Sequence, residues 1–89
     1  MRDEDDLRQH AEVFLVFAHD TGNGQDHLLN VLGSLEVARA ECREWQTRHR
    51  QWWNGINRYN LFVRVGHLGK RGVDALSSAK EHVVSADFE

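Results

Sequence analysis

The sequence predicts a small α+β domain. A three-stranded antiparallel sheet, β-β-α-β along the chain with strand order 2-1-3, packs on one long helix, and a second helix ends the chain. Three observations carry this expectation. Ser34 to Trp53 has the period of an α-helix; Val13 to Ala18 is an unbroken apolar run; and Tyr59 to Val65 alternates apolar with mixed positions.

The helix organises the rest. At 100° per residue, Leu35, Ala38, Cys42, Trp45, His49 and Trp52 fall on one face, and Glu36, Arg43, Glu44, Thr47, Arg50 and Gln51 on the other. Ser34 can cap the first turn, where Glu36 complements the helix dipole, and Arg48 and Arg50 do the same at the far end. Asn54-Gly55 supplies a stop, because either residue tolerates the left-handed conformation that ends helices.

Before the helix, Val13-Phe14-Leu15-Val16-Phe17-Ala18 is rich in β-branched and aromatic types and reads as a strand buried on both faces. His19 to His27 is a dense cluster of turn formers, expected to be a hairpin loop, and Leu28 to Leu32 returns as the second strand. After the helix, Tyr59, Leu61, Val63 and Val65 alternate with Asn60, Phe62 and Arg64 as a half-buried strand does. Gly66, Gly69 and Gly72 then mark a loop. Val73, Leu76, Ala79 and Val83 share one side of a helix over 73–84, a strand through 82–85 being the alternative. The long helix covers one sheet face. The other, carrying Phe14 and Val16 or Leu15 and Phe17, needs a cover from the C-terminal segment or from a second copy of the chain in a symmetric homodimer.

Eighty-nine residues are read as one domain with a modest core, to which three Trp, four Phe and one Tyr contribute roughly 150–250 Å² each when buried. Residues 1–9, with Asp3-Glu4-Asp5-Asp6, are expected to be a solvated acidic arm. No apolar run is long enough to cross a membrane and no basic start leads into one, so the chain is expected to be cytoplasmic with no membrane partner. The single Cys42 is expected to be a reduced, buried thiol.

Charge is segregated beneath the net value of −3. Residues 1–36 hold 2 basic and 8 acidic side chains, residues 37–72 hold 8 and 2, and residues 73–89 hold 1 and 4. The basic middle third interleaves Arg39, Arg43, Arg48, Arg50, Arg58, Arg64, Lys70 and Arg71 with Trp52, Trp53, Tyr59 and Phe62. Arginine neutralises phosphates and rings stack on unpaired bases, so single-stranded nucleic acid or RNA is one class of ligand. The same arginines can instead pair along the helix, Arg39 and Arg43 with Glu36 and Arg48 with Glu44.

Catalytic constellations are few. Asp20-Thr21-Gly22 after an apolar strand resembles the active-site triplet of retroviral-type aspartic proteases, in whose homodimers two such Asp share a proton. The resemblance covers three residues and stops at Asn23, where that family has Ala or Ser, and a long helix does not suit its all-β fold. The triplet is therefore read as a hairpin turn. His19, Asp20, Asp26 and His27 bracket the same loop as a metal candidate, but without a recognised ligand spacing. An EF-hand is ruled out by Val31 at the twelfth position. Cys42 and His49 lie two turns apart, about 10 Å along the axis at 1.5 Å per residue, too far for a nucleophile and its base. The glycines of 66–72 fit no phosphate-binding motif.

The expectation is thus a small, non-catalytic cytosolic interaction module without cofactor or metal that binds a protein partner, with a homodimer as its candidate assembly. Nucleic acid is the alternative ligand. Aromatic residues and arginine dominate interface energetics, which makes Arg48, Arg50, Trp53, Arg58 and Tyr59 the candidate contact surface.

Overall fold

The computed structural model describes residues 12–52, 58–69 and 72–86, without the side chains of 50–52 and Asp74. Six elements follow one another: β1 (Glu12–Asp20), β2 (Asp26–Leu32), α1 (Leu35–Trp52), β3 (Tyr59–Gly69), β4 (Gly72–Leu76) and β5 (Glu81–Val84). Every strand pairing is antiparallel. The sheet runs β2-β1-β3-β4, and β5 also pairs with β3.

This corrects the expected fold. The chain is mostly sheet, curled on itself, with one helix; it is not a three-stranded sheet with a C-terminal helix. β3 runs on through the expected glycine loop to Gly69, and residues 73–84 supply strands. The cause is non-local. An eleven-residue β3 presents a long row of backbone donors and acceptors beyond β1, and pairing them outweighs the helical spacing of Val73, Leu76, Ala79 and Val83. β4 pairs with the end of β3 and β5 with its beginning, so the two behave as one edge strand broken at 77–80. At the break the Ser77 N–H donates to the Val65 carbonyl at 2.8 Å, and the Ser77 hydroxyl accepts from the Val65 N–H at 3.2 Å.

α1 forms where its apolar period places it. The Ser34 carbonyl accepts the Ala38 N–H at 3.0 Å, and its hydroxyl makes a long contact of 3.4 Å with the Val37 N–H. Ala38 and Cys42 are fully buried, small enough to let the helix approach Val16, Ala18, Leu61, Val63 and Val84 closely. Phe14, Leu29, Leu32, Leu35, Trp45, Tyr59 and Val83 close the rim of this core. Alternation along β1 decides the faces: Phe14, Val16 and Ala18 meet the helix, while Leu15 and Phe17 point away.

Among the described residues β2 is the outer strand, and its open edge is blunted. A bulge between its pairings with Val16 and Phe17 bends it, and the Asn30 side chain accepts the Val31 N–H at 2.8 Å. No helix among the described residues is long and apolar enough to cross a membrane. Residues 1–9, Trp53 and the Asn54-Gly55 stop, with Lys70 and Arg71, lie outside the described residues.

Candidate functional site

Two places on the molecule gather chemistry. The first is the junction of the β1–β2 turn with the start of β3. Asp20 is the last residue of β1 and is buried, and both carboxylate oxygens are taken by Arg58: Nε donates to Oδ1 at 3.0 Å and Nη2 to Oδ2 at 2.7 Å. The Gly22 N–H adds a third donor at 2.8 Å. Thr21 is tied to the same residue, its N–H and hydroxyl donating to the Arg58 carbonyl at 3.0 and 2.6 Å. Gly24, at φ +77°, donates to the Asp20 carbonyl and lets the turn close.

The electrostatics follow. The Arg58 guanidinium, above all through its hydrogen bonds, holds the Asp20 carboxyl down at about 2. Such a carboxylate is ionised at any physiological pH, whereas the resemblance to aspartic proteases would need one that shares a proton. The Asp20 triplet is a latch between two strands. The candidate metal ligands are also pulled apart, because His19 and Asp26 pair with each other at 2.7 Å on the face away from the helix while Asp20 faces α1. No cluster of metal-ligating groups forms among the described residues.

Of the expected contact surface, Arg58 is this ion pair. Tyr59 stands beside it in an aromatic cluster, its ring edge-on to Trp45 and His49 at 5.0 and 4.5 Å between centroids, while Trp45 stacks on His49 at 4.4 Å. Arg48 is exposed on α1 with Nη2 3.9 Å from the Glu44 carboxylate. Arg50 belongs to the last turn of α1, but its side chain, like the whole of Trp53, lies outside what is described. Burial, more than the nearby Arg58 charge, lowers the His49 pKa and keeps the ring neutral. Burial also pushes the Cys42 thiol up to about 11, which favours the protonated thiol.

The second place is the sheet face turned away from α1. Across neighbouring strands it runs Leu28, Phe17, Phe62 and His82 in one row, and Val31, Leu15 and Arg64 in the next. Gly66 with Leu76, then Leu68 with Val73, continue it toward β4. Its centre is packed: Phe17 and Phe62 stack at 5.3 Å, and Leu15 and Val73 meet over Gly66, where a Cβ would lie 2.9 and 2.8 Å from their side chains. Its margins are open. Six large apolar side chains are exposed among the described residues, and five of them, Leu28, Val31, Leu68, Val73 and Leu76, lie here at 36–53% exposure.

The sequence carried a signal for this face, the unbroken run 13–18 that cannot be covered by one helix. It holds no means of locating the exposed margins, since the spacing around Leu68, Val73 and Leu76 reads as a glycine loop followed by a helix. Compared with protein families, curated proteins and solved structures, the chain matches none of them.

Proposed function

We propose that the protein is a non-catalytic interaction module that docks a protein partner on the sheet face opposite α1. The observation that carries this reading is the gathering of five of six exposed large apolar side chains on that one face. Scattered exposed apolar residues are ordinary, but five gathered at the margins of one sheet face favour an interaction surface there. The blunted β2 edge favours docking on the face over pairing along the edge.

Nucleic acid is the less favoured ligand. Arg39 is bound by Glu81, Arg58 by Asp20, and Arg48 lies near Glu44, so three of the eight basic residues of the middle third are answered within the chain. Phe62 is buried and offers no ring to a base.

The test is site-specific photo-crosslinking in the cells that make the protein. A benzophenone side chain at Leu28 or Leu76 should capture a protein, and one at Val37, exposed on the helix, should not. Adding Leu68→Lys should suppress capture from Leu76. Equal capture from all three positions, or capture of nucleic acid alone, would overturn the reading.

A further inference from the structure

The open margins of the far face frame a cationic centre. Arg64 lies over the Phe17 ring with its guanidinium carbon 5.9 Å from the centroid, and Lys80 lies over Phe62 with Nζ at 4.8 Å. The rings hold both cations against the sheet through the negative faces of their π-systems. Arg64 is further oriented by its Nε, which donates to the Ser77 carbonyl at 2.7 Å.

No carboxylate whose side chain is described pairs with either cation. On this face Asp26 is bound to His19, whereas on the helix side Arg39 and Arg58 each hold a carboxylate bidentately. On the helix side two arginines are each held by a carboxylate, whereas the far face presents two positive charges set among leucines and valines.

We infer that the partner element received here is an extended acidic segment, with carboxylates meeting Arg64 and Lys80 and apolar side chains meeting Leu68, Leu76 and Val31. Both cations sit on one aromatic pair: Phe17, under Arg64, and Phe62, under Lys80, stack at 5.3 Å between centroids, which places the two charges where neighbouring same-side carboxylates of one extended segment can meet them. Opposite charge steers such a segment onto the face and apolar contact holds it. The inference rests on the face being a protein-docking surface, and it adds the chemistry of what docks.

The probe is a fluorescein-labelled ten-residue peptide in which Glu and flanking Leu occupy every second position, so that both lie on one face of the extended chain, with Ser between them; it is titrated into the full chain by fluorescence anisotropy. Lys/Leu and Glu/Ser peptides and a ten-nucleotide dT strand are the comparisons, and the amide spectrum of the protein locates each. The Glu/Leu peptide should bind, shift amides of β1, β3 and β4, and weaken with salt. Arg64→Gln with Lys80→Gln should lower its affinity about tenfold, as two exposed ion pairs would. Lys80→Gln alone should lower it severalfold without altering the melting temperature, and Arg43→Gln on the helix should change nothing. If the Lys/Leu peptide binds equally well and only Leu76→Asn weakens it, the acidic specificity is overturned while the docking face stands. If no peptide binds and dT shifts the face, both readings fail. Self-association that shifts the same amides while no peptide binds would make a second copy the occupant and overturn the acidic segment.

Discussion

Leu15 and Val16 are neighbours on β1 and both are buried, yet the two faces they point into are finished in different ways. Val16 enters a conventional core, where a helix with Ala38 and Cys42 at its contact line comes close enough to exclude water from Ala18, Leu61 and Val63. Leu15 lies where the sheet curls over Gly66 and brings Val73 toward it. A helix shields a whole sheet face; a curl shields its centre and leaves margins. The difference teaches that burial of an apolar strand on both sides does not imply two complete cores, and here the incomplete side is the one with surface left for a partner.

The sharpest way to break the comparison is to remove equal amounts of side chain from the two sides. Leu61→Ala on the helix side should cost about 2–5 kcal/mol in urea unfolding, as large-to-small changes in packed cores do. Leu68→Ala on the far face should cost about 0.5 kcal/mol or less, in the range of ordinary surface substitutions. Comparable losses would show that the far face is a second full core and would remove the argument for docking.

Gly66→Ala probes the curl directly. Its methyl would meet Leu15 and Val73 below 3.0 Å, so a loss of about 1–3 kcal/mol is expected, in line with overpacking elsewhere. Val73→Ala in the same chain should restore part of it. A neutral Gly66→Ala would mean that β4 can move off the face freely.

Acid should reveal the latch and the aromatic cluster in turn. His49 has a lowered pKa in the folded protein, so protons favour the unfolded chain once the pH falls through ~6.5, and stability should begin to decline there. Asp20 has a folded pKa of about 2 against ~3.9 unfolded, so its contribution is complete above about pH 4 and is lost as the pH falls toward 2. Asp20→Asn should destabilise the protein at neutral pH and flatten the lower step, although Glu81, also lowered by Arg39, retains part of it. His49→Phe, which keeps a ring between Trp45 and Tyr59, should flatten the upper step. Thermal unfolding from pH 8 to pH 2 measures both, and an unchanged upper step in His49→Phe would show that another group carries it.

Local chemistry was enough to place part of this molecule. The apolar period from Leu35 onward with Ser34 before it determines α1, the β-branched and aromatic run determines β1, and Asp20 to Gln25 determines the turn, because each interaction spans a few residues and leaves its mark in neighbouring side chains. Other features depend on partners far along the chain. Residues 73–84 carry a helical pattern and become strands because β3 has a free edge to fill. Arg58 is held by Asp20, 38 positions earlier, and Arg39 passes over Glu36 to reach Glu81. Which alternate residues of β1 meet the helix, and where Arg64 and Lys80 come to rest on their rings, were likewise decided only when the sheet closed. Periodicity and capping are written in the order of the residues, whereas edge pairing, charge partnership and the exposure of a face depend on which strands stand side by side.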